Sequence, residues 1–110
     1  MSRTLAALVV CLPLAAQPQT TPRPTTISAF FAQTFEERLR DEPEFATTAG
    51  RHDYDDRWTD WSKTGRDLRR AHRMERLRQL SAFPLASLNP QERLSARLME
   101  YTLKKQLEAE

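Results

Sequence analysis

Apolar side chains recur at helical spacing in three stretches of this chain. In the first stretch they return every four residues, which predicts a helix over residues 28–40. That row comprises Ile27, Phe31, Phe35 and Leu39. Pro43 suits the first turn of a short second helix over residues 43–49, where its missing amide is not needed. Gly50 then suits a left-handed cap at the end of that helix.

The second apolar stretch predicts a long helix rich in arginine. Ser62 can cap its start, the helix runs to about Ala82, and Pro84 ends it. The apolar row of this helix comprises Leu68, Ala71, Met74, Leu77 and Leu80. Gly65 is expected to weaken the first turn by about 1 kcal/mol relative to alanine.

The third stretch has the clearest start signal in the chain. Asn89 is a good cap, Pro90 occupies the first helical position, and Glu92 follows the cap by three residues. The apolar row comprises Leu94, Leu98 and Tyr101, and we expect Leu103 and Leu107 to widen it. We predict that this helix continues to Glu110.

These elements predict an all-α fold, with three main helices and one short helix. Two glycines and 29% charged residues also favour helices over sheets with tight turns. Short helices gain most of their stability from packing, yet this set leaves wide apolar faces partly uncovered. We therefore predict that residues 27–110 are the N-terminal helical segment of a larger domain. Its partner is either the remainder of that domain or another protein, bound through the exposed apolar faces.

The first residues predict a secretory signal peptide over residues 1–16. Arg3 supplies a basic start, residues 5–16 are almost entirely apolar, and Ala15 and Ala16 are small residues at the expected cut. The alternative is a buried first helix. A membrane-spanning helix needs about 20 apolar residues, so no stable membrane span is expected. We predict a periplasmic or secreted protein, whose residues 17–26 form a linker rich in proline and threonine.

Cys11 is the single cysteine and lies within the apolar run. It excludes an intrachain disulfide. A lipid-attachment cysteine normally follows a small residue, whereas Val10 precedes this one. The lipoprotein form is therefore the less favoured route of export.

The charge balance gives little support to a nucleic-acid partner. Removal of residues 1–16 takes away one of 17 basic residues and leaves 16 basic against 15 acidic. The arginines between Arg66 and Arg78 are interleaved with Asp67 and Glu75, which favours a solvated helix face over an RNA or DNA surface. We predict no nucleic-acid partner.

The stretch "HDYDDRWTDWS", residues 52–62, is the first candidate for a metal site. Asp53 and Asp55 take the first and third positions of a calcium-loop pattern. Arg57 and Trp58 then occupy the positions that need an oxygen donor and glycine, which excludes calcium.

Zinc is disfavoured because three protein ligands cannot be named. His52 adjoins aspartates that cannot all point inward, and His72 is twenty residues away on the arginine-rich helix. We interpret the stretch as a structural loop, in which Asp and Ser residues cap turns and Arg57 pairs with an aspartate. The aromatic residues expected to pin the loop onto the helices are Tyr54, Trp58 and Trp61.

No catalytic motif occurs in the sequence. It lacks a Gly-x-Ser-x-Gly elbow, a phosphate loop, a dinucleotide fingerprint and His-Glu-x-x-His. Glu36 and Glu37 are adjacent, so on a helix they point about 100° apart and make a poor acid–base pair. We assign no catalytic, cofactor-binding or metal-binding residue to this chain.

Three segments carry a family resemblance: "FEERLRDEPEFATTAG" at residues 35–50, "YDDRWTDWS" at 54–62 and "LNPQERLSARLMEYTLKKQLE" at 88–108. Together they resemble the N-terminal part of the bacterial domain-of-unknown-function 885 proteins. The resemblance implies a mostly helical protein of several hundred residues that is similar to zinc metallopeptidases. Its zinc ligands and catalytic glutamate would lie in a His-Glu motif far downstream. It also implies that the loop is a structural turn between helices.

Two functional hypotheses follow. In the first, this is the N-terminal segment of a secreted metallopeptidase-like protein, inactive alone; zinc and a peptide substrate would belong only to the full-length protein. In the second, it is a small periplasmic helical module that binds a protein partner.

Overall fold

The computed structural model describes residues 23–110, which form α1 (Ile27–Asp41), α2 (Pro43–Thr48), α3 (Lys63–Ser81) and α4 (Pro90–Glu108). A single 3-10 turn, Leu85–Ser87, lies between α3 and α4. The predicted all-α class, with three long helices and one short one, is confirmed. The predicted signal peptide, Cys11 and most of the predicted linker lie outside the described residues. Within those residues, no helix is both long and apolar enough to span a bilayer.

The helix ends follow the predicted caps. The Ser62 hydroxyl accepts a hydrogen bond from the Gly65 amide at 3.1 Å, and Gly50 has a φ of 79°. Asn89 and Glu92 form a complete capping box, with bonds of 2.8 and 3.0 Å. Helix α4 ends at Glu108, two residues before the predicted end, and the Ala109 amide still donates to the Lys105 carbonyl at 3.2 Å.

Helix α3 runs antiparallel to both α1 and α4. The apolar core lies where α1 and α4 begin and α3 ends. It comprises Ile27, Phe30, Leu80, Leu88 and Ala96. Phe30 is fully buried, and its ring centroid lies 5.5 Å from that of Phe83. Aromatic packing of this kind adds to the free energy gained by apolar burial.

The predicted apolar row of α3 does not form its buried face. Only Leu80 is buried, whereas Leu68 and Met74 are 54% exposed. Each step of three residues rotates about 300° around a helix, so a row spaced strictly by threes drifts about 60° per step. The five apolar positions therefore wind around α3, and the residues that face inward are largely polar. The buried residues are Gly65, Arg69, Arg76 and Leu80.

An ion-pair layer joins α3 to α1. The Arg76 guanidinium donates to Asp41 at 2.9 Å and to Glu37 at 3.2 Å, and the His72 ring lies 2.9 Å from Asp41. The side chains of Arg76 and Asp41 are nearly buried, and throughout residues 23–110 every buried side-chain polar atom has a hydrogen-bond partner. A buried charge is tolerated only when paired, so these contacts determine how α1 lies against α3.

The same helix also holds the end of α4. Arg70 donates to the Leu107 carbonyl at 3.1 Å and pairs with Glu110 at 3.2 Å. Arg73 pairs with Glu110 and lies 3.8 Å from Glu42 at the end of α1. These contacts hold the end of α4 against α3.

We predict that Arg76→Met lowers the free energy of unfolding by about 3 kcal/mol, because it keeps the aliphatic stem but leaves two carboxylates without their cation. Arg78→Met is the matched control. It removes an exposed pair with Glu75 and should cost less than about 1 kcal/mol. Urea unfolding followed by circular dichroism compares the two variants. Equal losses would contradict a structural role for the ion-pair layer.

Candidate functional site

The 51–62 loop is tied to α1 by Arg51. Its guanidinium donates to both carboxylate oxygens of Glu36, at 2.7 and 3.3 Å, and to Asp53 at 2.8 Å. These hydrogen bonds raise the pKa of Arg51 above its ordinary value and lower the pKa of Asp53 below its own. Sequence reasoning missed this contact because 15 residues separate Arg51 from Glu36 and no motif links them.

A second tie joins the loop to α2. The Glu44 carboxylate accepts hydrogen bonds from the Thr59 amide, at 3.1 and 3.3 Å, and from the Thr59 hydroxyl. Thr59 is buried, and its hydroxyl bond is the main reason that the pKa of Glu44 is lowered. This anchor was also absent from the sequence analysis, since neither residue stands out by spacing.

The two histidines are held on different elements, each by its own aspartate. His52 lies 2.8 Å from Asp55, which also accepts a hydrogen bond from Thr47 at 2.6 Å. His72 belongs to the ion-pair layer. Among residues 23–110, no three His, Cys, Asp or Glu side chains are placed to hold a metal ion. The side chains of residues 23–110 therefore do not form a site that fits zinc, which the family resemblance places in a motif far downstream.

The prediction that tryptophans pin the loop is wrong. Trp58 is 82% exposed and Trp61 is 69% exposed. The Arg69 guanidinium lies 4.9 Å from a Trp61 ring centroid, within the range of a cation–π contact. The predicted pairing of Arg57 with an aspartate is confirmed, at 3.5 Å from Asp56. Polar contacts, rather than aromatic packing, hold this loop.

The loop also packs closely onto the start of α3. Arg69 donates to the Asp60 carbonyl at 2.5 Å, and the Asp60 carboxylate accepts from the Ser62 amide at 2.9 Å. A Cβ atom added to Gly65 would lie 2.2 Å from the Asp60 carbonyl oxygen. Glycine is therefore required at this position by the close approach of the loop, at the cost in helix propensity noted above.

The arginines of α3 were predicted to form a solvated helix face, but only some of them are exposed. Arg69 and Arg76 are buried, and the side chain of Arg73 is 15% exposed. Arg66 donates to the Trp61 carbonyl, and Arg78 pairs with Glu75. Hydrogen bonds within the fold therefore engage these five arginines.

Helix α4 carries two apolar faces on opposite sides. The inner face packs towards α3 and the core, and it comprises Ala96, Met99, Leu103 and Leu107. We call the other side the outer face; it comprises Leu94, Leu98 and Tyr101, which are 62%, 63% and 61% exposed. At about 100° per residue, Leu103 lies about 180° from Leu94. The expectation that Leu103 and Leu107 widen the outer row is therefore wrong, whereas the prediction of an uncovered apolar face is confirmed.

The outer face continues into a groove between α1 and α4. This groove has a volume of about 430 Å³, and its apolar lining comprises Phe31, Phe35, Leu98, Met99 and Leu103. Arg38 stands at the groove with its guanidinium 3.7 Å from the Phe45 ring centroid. The outer face and this groove together form a continuous apolar surface. It is the candidate functional site of the described residues.

We predict that Gly65→Ala lowers the free energy of unfolding by about 1–2 kcal/mol, although alanine is the better helix former. The new methyl group would collide with the Asp60 backbone, which cannot move as a flexible side chain can. Thr64→Ala, at an exposed neighbouring position, should leave stability unchanged or slightly higher. Thermal unfolding of the two variants checks this, and a stabilised Gly65→Ala protein would contradict it.

The Glu44–Thr59 contact predicts a pH dependence. Because folding lowers the pKa of Glu44 below its ordinary value of 4.5, the carboxylate stabilises the fold above pH 4.5. That contribution is lost as the pH falls through the folded-state pKa. We expect Glu44→Gln to lower Tm at pH 7, with a difference from the parent chain that shrinks below pH 4.5. Asp56→Asn, in the same loop, is the control; a Glu44→Gln deficit that stays constant down to pH 3 would refute the contact.

Comparison with known proteins gives a family match for this chain. No curated protein and no solved structure matches it. A family model described as "Bacterial protein of unknown function (DUF885)" matches residues 43–110. That match spans α2, the 51–62 loop, α3 and α4, which is more than half of the chain. The chain therefore belongs to the DUF885 family of bacterial proteins.

Proposed function

We propose that this chain is the N-terminal helical segment of an exported metallopeptidase-like protein. Its role is structural: the outer face of α4 docks the remainder of the protein. The zinc ligands and the catalytic glutamate belong to a His-Glu motif elsewhere in that protein. The observation that carries this proposal is the pair of opposite apolar faces on α4.

A helix that is apolar on both sides is suited to a position between two packed layers. In α4, Ala96 and Leu103 occupy the inner side, while the exposed Leu98 lies on the other. An exposed row of large apolar residues is costly in water and commonly marks a docking surface. The family resemblance supports the same role, since it implies a large and mostly helical protein.

The 51–62 loop fits this structural role. Its contacts through Glu44, Arg51 and Gly65 hold the α2–α3 connection rigidly against three helices. A rigid connection keeps α3, and with it α4, at a constant angle to α1. We therefore assign the loop to positioning of the docking surface.

The export part of the proposal rests on residues 1–16, with their basic start, apolar run and terminal alanines. A cleaved leader would deliver the folded helices to the periplasm or beyond. Fractionation of cells that express the gene, followed by N-terminal sequencing, tests this part separately from the enzymatic part.

The alternative function is a free-standing periplasmic module that binds a protein partner. The exposure of Leu94, Leu98 and Tyr101 favours it as well, because the same surface would then receive another molecule. The two functions differ in what covers the outer face: the same polypeptide or a different one.

A single substitution separates them. In the protein encoded by the complete gene, we expect Leu98→Asp to lower the free energy of unfolding by about 3 kcal/mol, because a charge would enter a packed layer. Arg40→Asp, at another exposed position, should have little effect.

The metallopeptidase part has its own test: the protein encoded by the complete gene should contain zinc and hydrolyse peptides.

A gene that encodes no His-Glu motif, or a complete protein without zinc and hydrolysis, would remove the metallopeptidase part. If Leu98→Asp leaves stability unchanged but abolishes capture of a separate protein, the module is the correct function. If it changes neither, the docking role of the outer face is wrong.

A further inference from the structure

We infer that the outer face of α4 receives an amphipathic α-helix that carries carboxylates along one edge. This inference rests on the proposed docking role and specifies the chemistry of the docked element. Three observations support it: the spacing of the apolar row, the charges at its two edges and the poor fit of a second copy of the chain.

The spacing of the row suits a helix rather than a strand or a loop. Leu98 follows Leu94 by four residues, and Tyr101 follows Leu98 by three, which is the pattern of a helix–helix seam. The row extends about 10 Å along α4. The adjoining groove between α1 and α4, about 430 Å³ in volume, gives the surface the concavity that a helix can fill.

The two edges of the outer face differ in charge. Ser95 and Thr102 border the edge at the groove, where the guanidinium groups of α1 and α3 are already paired with carboxylates of the chain. Arg97 borders the other edge, about 40° from Tyr101 on the helix. A docked helix therefore meets only guanidinium groups that are already paired on one side, and the Arg97 guanidinium on the other.

Arg97 also differs from the other basic residues of α4. Lys104 pairs with Glu100 at 2.5 Å, and Lys105 pairs with Glu108 at 2.7 Å. Arg93 donates to two backbone carbonyls, those of Leu85 and Leu88. Arg97 has no hydrogen bond or ion pair with any residue in the described part of the chain. A carboxylate on the docked helix would supply that partner at the rim of the interface.

A second copy of this chain does not fit the same edge. If two α4 helices met antiparallel about a two-fold axis near Leu98, the Arg97 side chains would lie on the same side of the interface and repel each other. If they met in parallel, Arg97 of each copy would face Ser95 and Thr102 of the other. Its guanidinium would then lose contact with water without gaining a carboxylate partner. A different, acidic helix avoids both costs.

Two synthetic amphipathic peptides test the inference on the 110-residue chain, in which the outer face is exposed. They share one leucine seam and differ only in bearing glutamate or lysine at the flanking positions, and their binding is measured by fluorescence anisotropy. We expect the glutamate peptide to bind about fivefold more tightly, the effect of one exposed ion pair. Arg97→Glu should reverse this preference, and Leu98→Asp should abolish binding of both peptides.

Arg40→Glu is the matched control, because it changes the net charge by the same amount at an exposed position on α1 and should leave the preference intact. Circular dichroism of each variant verifies that the helices are retained.

Equal binding of the two peptides, no binding of either, or an unchanged preference in Arg97→Glu would overturn the inference. Self-association of the chain that Leu98→Asp abolishes would assign the face to a second copy. Binding to phosphatidylglycerol vesicles instead of peptide would assign it to lipid. None of these outcomes depends on zinc or hydrolysis, so the metallopeptidase part of the proposed function fails or stands separately.

Discussion

The pairing of Arg76 with Asp41 and Glu37 is the interaction on which the arrangement of the helices depends. The side chains of Arg76 and Asp41 are nearly buried, and a guanidinium in such a place must keep its carboxylates within hydrogen-bond distance. This requirement determines both the rotation of α3 about its axis and its position along α1. Directional contacts of this kind specify an arrangement more narrowly than apolar packing, which tolerates shifts in register.

The ion-pair layer has a consequence for the apolar residues. Because α3 turns Arg69, His72 and Arg76 inward, much of its apolar row is left at the surface. The continuous apolar core is confined to one end of the molecule, around Phe30 and Leu80. Helix α4 closes that core with Ala96 and Met99 on one side, and presents the exposed Leu94, Leu98 and Tyr101 on the other. The described helices therefore combine a small core with an extensive apolar surface.

The 51–62 loop shows how a stretch rich in metal-binding residue types can be structural. Its aspartates form hydrogen bonds within the fold: Asp55 with His52 and Thr47, and Asp60 with the Ser62 amide at the start of α3. The close approach at Gly65 and the anchor between Glu44 and Thr59 make the connection rigid. Through these contacts the orientation set by α1 is passed to α3 and α4, and so to the outer face of α4.

The sequence alone determined where the helices begin and end, to within two residues. Caps such as Ser62 and Asn89 act within a few residues of themselves, so local pattern suffices to place them. The resemblance to the family could also be read from short segments. Tertiary structure decided which side of each helix is buried, and here sequence reasoning failed on α3 and α4. Charged residues such as Arg76 enter the interior only with partners some 35 residues away, and a pattern within one helix carries no information about such partners. In α4 the sequence pattern shows apolar residues on two opposite sides of the helix. Only the contact with α3 determines that the side of Leu103 is buried and the side of Leu98 is exposed.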